Sequence, residues 1–172
     1  MKKLFAMLLA AMMIFASVSA LAEEAVTVEA DSPSAVVELG PVGMEFLQMM
    51  EEAVEQGMPA ISVFSPETQE AVKQVVGEDT TVDEMFGLNP QYFDVEKGIE
   101  NLVFMFLAAD YEVGDPVSAV LVLVNGDEEP VEIVLEAEVV EDNLVKIWFP
   151  VEVQEQLFNA DEAFIAIVSA AK

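Results

Sequence analysis

The chain has 172 residues, 54% of them apolar and 23% charged, with 33 acids against six cations and a formal net charge of −27. It contains no cysteine, histidine or arginine, which excludes disulfides, thiolate and imidazole chemistry, iron–sulfur and N/S-type zinc ligation, and bidentate guanidinium recognition. A field this negative also excludes nucleic acid as a partner.

Residues 1–22 read as an export signal. Lys2 and Lys3 form a positive start, Leu4 to Val18 is an uncharged apolar run, and Ala20-Leu21-Ala22 supplies the small-x-small pattern cleaved before Glu23. The run is too short, and too soon followed by acid, for a retained anchor. The expected location is therefore secreted, extracellular or periplasmic, with no stable membrane anchor after cleavage. Cleavage takes away two lysines and no acid, leaving 150 residues at −29 with Lys73, Lys97, Lys146 and Lys172 as the cations. That length suits one domain with one core. The apolar content separates it from disordered acidic tails, and the charge favours a soluble protein.

Residues 23–40 read as an acidic leader, in which Val26/Val28 and Val36-Val37 are short extended pieces. The domain proper spans 41–172, with a helical part at 41–98 and a β part at 99–172. Met44 to Gln56 is predicted as the first helix. Phe46, Leu47, Met50, Ala53 and Val54 form its apolar face, Gly57 ends it and Pro59 follows. Ser65-Pro66-Glu67 opens a second helix, with Ser65 as N-cap, a stripe of Ala71, Val72, Val75 and Val76, and Gly77 as stop. Thr81-Val82-Asp83-Glu84 has capping-box spacing and predicts a third, short helix ended by Gly87.

From Leu102 the period changes to that of a strand. Leu102–Ala108, Val117–Val124, Val131–Val140, Leu144–Phe149 and Phe164–Val168 are five predicted strands. A short amphipathic turn (Val153, Leu157, Phe158) precedes the last. Short connections favour antiparallel neighbours. In Val131–Val140 the odd positions face inward, while Glu132, Glu136 and Glu138 face water. A three-residue loop, Glu141-Asp142-Asn143 with Asn143 left-handed, pairs Val140 with Leu144, places Lys146 opposite Glu138 and sets Trp148 opposite Glu136. The remaining strands are apolar on both faces and need two covers. The expected class is α+β: three short N-terminal helices, then an antiparallel sheet of five or more strands. The closing stretch, Leu157 and then Phe164 to Val168, resembles the last turn and strand of immunoglobulin-like or fibronectin-like modules, with Phe164 where those folds often carry tyrosine. That resemblance implies a β-sandwich.

Few residues point to chemistry. Ser169-Ala170-Ala171-Lys172 matches S-x-x-K but has no following helix to bury the lysine. Met44, Met49, Met50 and Met58 are soft ligands for copper, although Met44, Met50 and Met58 read more simply as core fillers. Asp110, Glu112, Asp115, Glu141, Asp142 and Asn143 lie in turns that an up-and-down sheet brings to one end, the best candidate calcium site. Phe86, Leu88, Tyr92 and Phe93, with Pro90, form an aromatic stretch that either packs the helices on the sheet or offers a partner surface. The expected function is a non-catalytic binding or structural module for a protein or envelope polymer, with no obligate cofactor. The alternatives are a small carboxylate-dependent glycoside-type hydrolase, which needs two close acids in an aromatic-lined cleft, and a weak calcium-binding extracellular domain.

Overall fold

The computed structural model describes residues 35–93, 102–107, 111–126 and 128–171; the predicted signal and most of the predicted leader lie outside them. Within this range strands and helices are interspersed. β1 (Val36–Val37) is followed by α1 (Pro41–Glu55), a 3-10 turn at Ala60–Val63, α2 (Pro66–Val76) and β2 (Thr80–Leu88). A second 3-10 turn (Pro90–Phe93) leads toward β3 (Leu102–Leu107), β4 (Val117–Val124), β5 (Val131–Glu141) and β6 (Leu144–Phe149). α3 (Val151–Phe158) and β7 (Glu162–Ala170) complete the described elements. The α+β class holds, but the helices sit between strands instead of preceding them all.

The third predicted helix does not form. Thr80 to Leu88 is instead β2, paired with β1 on one side and β7 on the other. One capping box over two turns is a weak local preference, and an isolated helix that short is marginal. A ladder of cross-strand bonds with buried Phe86, Gly87 and Leu88 outweighs it. The third helix of the fold is α3, where the sequence shows only a turn. Its buried face is Val153, Gln154 and Leu157, with Gln154 Nε2 donating to the Phe149 carbonyl at 2.7 Å.

The strands form one antiparallel seven-stranded sheet in the order β1-β2-β7-β4-β5-β6-β3. β3 lies beside β6 rather than β4, so β3 to β6 form a Greek-key arrangement. β5 pairs with β4 through Val131–Glu136 and with β6 through Ala137–Glu141, so its two halves serve different neighbours. The hairpin keeps Glu138 opposite Lys146, but by a different device from the three-residue loop. Glu141 pairs with Leu144 across Asp142-Asn143, and a bulge at Val140 restores the register. Asn143 takes the left-handed conformation (φ 65°) as expected. Trp148 pairs with Val103 of β3, not with Glu136. The Lys146 ammonium lies 4.4 Å from the centroid of the Trp148 ring, and among the described residues no ion pair joins it to Glu138.

The predicted need for two covers is met by a sheet curled into a half-barrel and by helices outside it. One buried cluster draws on β2 (Phe86, Leu88), β3 (Leu102), β4 (Leu121, Leu123), β6 (Ile147, Phe149) and β7 (Ile165, Ile167), with Phe93, Val153 and Leu157. Strands from opposite ends of the sheet meet in it, so the sheet wraps around this face. In place of a second sheet, α3 and the Pro90–Phe93 turn help to fill the curl. The other face of β4 and β7 (Val120, Val122, Phe164, Ala166, Val168) is buried with Ile61, Phe64, Val72 and Val76 from the α1–α2 region.

Two strand carboxylates fasten those helices. α1 has glycine at its N-cap and no side-chain cap of its own. Glu162 of β7 supplies one, accepting from the Val42 and Gly43 amides at 3.3 and 2.8 Å. Gly40 makes room for it, because a Cβ there would stand 2.5 Å from the Glu162 carboxyl carbon. Gly43 brings α1 close to the sheet, and the Phe46 ring lies 5.2 Å from Phe164. α1 ends as predicted, with the Met58 and Gly57 amides donating to Ala53 and Val54 carbonyls while Gly57 is left-handed. At α2 the Ser65 hydroxyl accepts from the Thr68 amide, as predicted, and Ser65 also donates to Glu132 of β5 from its amide (3.0 Å) and its hydroxyl (2.8 Å). Glu132 is therefore not a solvated residue but a clamp on the α2 N-terminus.

Glu162→Ala and Glu132→Ala should each destabilise the fold by about 1–2 kcal/mol, the range for a lost helix cap. Glu136→Ala, at an exposed position of the same strand, should change stability by less than about 0.5 kcal/mol. Urea denaturation of the three variants beside the parent chain checks this.

Candidate functional site

One polar group that joins distant parts of the chain is built on a bulge. β2 pairs Val82 with Val168 and Glu84 with Ile167, which leaves Asp83 as the extra residue. A bulge re-aims a side chain that regular alternation would have placed elsewhere. The Asp83 carboxylate accepts a short hydrogen bond from the Tyr111 hydroxyl, and its same oxygen accepts from the Ser169 hydroxyl at 2.5 Å. Tyr111 is buried in the inner cluster and also grips the β5–β6 turn: its amide donates to Asn143 Oδ1 at 3.2 Å, and its carbonyl accepts from the Asn143 amide at 2.9 Å. One tyrosine thus ties β2 and β7 to a turn near the other end of the strand order, across the open end of the curl.

Chemically this is a strut. Burial, then the hydrogen bond and negative charge of Asp83, push the Tyr111 phenol well above its ordinary value. A phenol held neutral is a donor, not a base. The Ser169 hydroxyl faces a carboxylate that already holds a second donor. Ser169 donates to Asp83, and Lys172, its S-x-x-K counterpart, lies outside the described residues. Sequence pattern does not single out Asp83, Glu132 or Glu162. Only the bulge and the strand order bring them to their partners, and no local spacing marks either.

The candidate calcium turns do meet, through the Tyr111–Asn143 pair, as strand parity implied. Asp110 lies outside the described residues. Of the others, Asn143 Oδ1 accepts from Tyr111 and Asp115 Oδ2 accepts from the Glu112 amide at 3.0 Å. No group of three or more acids among the described residues stands close enough to hold a metal ion. Glu112, Glu141, Asp142 and Asn143 are exposed or nearly so. Asn125 and its neighbours do lie at the opposite end, where the Gly126 amide donates to Asp161 Oδ2 at 2.7 Å.

The aromatic stretch is placed inside. Phe86, Leu88 and Phe93 are buried and Tyr92 is half-buried against them, with Phe93 packed on Phe149 at 5.4 Å. Phe86, Leu88 and Phe93 pack the curl, because β2 brings Phe86 and Leu88 to the inner side of the sheet. The methionines also divide differently from expectation. Met50 fills the core, whereas Met44, Met49 and Met58 are 41–50% exposed. A shallow cleft of about 490 Å³ lies between α3 and the β4–β5 connection, lined by Leu123, Asn125, Val131, Glu152, Glu155, Gln156 and Asn159. It holds no aromatic ring for stacking a sugar.

The strut makes an alkaline prediction. The folded chain keeps the Tyr111 proton at a pH where the unfolded chain, near the ordinary value of about 10, has lost it. This contribution is complete below pH 10 and declines as pH rises above it. Tyr111→Phe should cost about 1–3 kcal/mol at neutral pH, and the gap to the parent chain should narrow between about pH 10 and about pH 11.5. Denaturation across that range measures it. Millimolar Ca²⁺ should leave the melting temperature where equimolar Mg²⁺ leaves it, since Asn143 and Asp115 oxygens already accept backbone amides. No family model, curated protein or solved structure matches the chain, so its chemistry must be read from its own residues.

Proposed function

We propose that the chain is exported and works outside the cytoplasm as a non-catalytic binding or structural module, its partner a protein or envelope polymer. The observation carrying this reading is the use to which its connected polar side chains are put. Asp83, Glu132 and Glu162 each hold two parts of the fold together, and the cleft beside α3 sets exposed acids against no aromatic wall. A glycoside-type hydrolase needs two close, desolvated acids over a sugar-sized, aromatic-lined site; the Tyr111 hydroxyl instead donates to Asp83, an exposed residue. The sandwich of immunoglobulin-like modules is a comparison of role more than of topology: a rigid β scaffold displaying a surface. The lack of cysteine leaves stability to the core and these fastenings.

Export is tested by the intact mass of the protein recovered from the producing cells' envelope and medium. The expected species begins at Glu23; a species retaining Met1, found only inside the cell, overturns the reading. On a panel of soluble glycans the same material should release no reducing sugar. Activity abolished by replacing a pair of acids would establish the enzyme instead.

A further inference from the structure

The outer side of α1 carries apolar side chains that the fold leaves uncovered. The helix meets the protein through Gly43, Phe46, Met50 and Ala53. By contrast Met44 is 50% exposed, Val54 57%, and Met58, just past the left-handed Gly57, 45%. Met44, Leu47 and Val54 fall at i, i+3 and i+10, which places them on one flank beside the buried face. Periodicity alone assigns Val54 to the core and Met44 and Met58 to filling it; the docking of α1 on Phe164 rotates them out instead.

Charge decides what fits there. Residues 41–58 contain four glutamates (Glu45, Glu51, Glu52, Glu55) and no cation, all four exposed. The last turn of α1 carries no basic residue to meet the negative end of the helix dipole. A second copy, with a net charge of −27 before cleavage, would meet the same acids with its own. We propose that this flank docks an amphipathic helix of a cationic partner: its apolar stripe on Met44, Leu47, Val54 and Met58, its lysines or arginines beside the α1 glutamates. Unbranched methionine adapts to the side chains of such a helix, and helix-on-apolar-face recognition with charged edges is a recurring mode. The proposal rests on the binding-module reading and names the class of partner.

The test is a labelled leucine/lysine peptide with helical amphipathic periodicity, titrated with the full chain at low salt and followed by fluorescence anisotropy. Two controls carry its charge without its face: the same residues scrambled, and an oligolysine. The amphipathic peptide should bind about tenfold tighter than either control, equivalent to roughly 1.4 kcal/mol. Replacing Met44, Val54 and Met58 together by serine should remove that advantage while circular dichroism and melting stay unchanged. Val75→Ser, at a residue 53% exposed on α2, should leave binding as it was. Equal binding of the oligolysine or the scrambled peptide, no binding at all, or indifference to the triple substitution would overturn the proposal. A partner captured by a different face would meanwhile leave the module reading intact.

Discussion

Burial of β4 and β7 on both faces is the constraint around which the molecule is built. Every residue from Val117 to Val124 and from Ala163 to Ser169 is buried. A strand pair without a solvated side must be covered twice, and one chain of this length has few ways to do it. Here the sheet supplies one cover by curling, and α1, α2 and the turn between them supply the other. The curl follows from β5, which leaves β4 for β6 midway along its length. The outer cover follows from glycine at position 43, which lets a helix approach Phe164.

Acid residues do more in this fold than keep it in solution. A carboxylate at a helix N-terminus meets both the orphan amides and the positive end of the dipole. Glu162 and Glu132 use that to attach α1 and α2 to β7 and β5, over separations of 119 and 67 residues. Asp83 does the equivalent with hydroxyl donors at the end of the curl. In a chain without cysteine or arginine, these are the specific long-range fastenings that the residue inventory permits. Most of the remaining acids among the described residues are exposed.

This division bears on function. Three of the acids, Asp83, Glu132 and Glu162, are engaged in holding parts of the fold together. Among the described residues most acids are exposed, and α1 carries an apolar flank. On the proposed reading, charge and apolar shape are what such a surface offers a partner, and a sheet covered on both faces keeps that surface in place.

Part of this architecture is legible in the order of the residues alone. The periodicity of α1 and α2, the Ser65 cap, the stops at Gly57 and Gly77, the left-handed Asn143, the Glu138–Lys146 register and the doubly apolar strands all depend on residues near one another in the chain, and local sterics and hydrogen bonding determine them. The rest depends on distant pairings. Thr80–Leu88 is a strand because β1 and β7 flank it, Phe93 is inside because the sheet curls over it, and Val54 turns outward because α1 seats on Phe164. Asp83, Glu132 and Glu162 find partners 28 to 120 residues away. No local pattern encodes such meetings, because the free energy that selects them comes from burying the whole sheet at once.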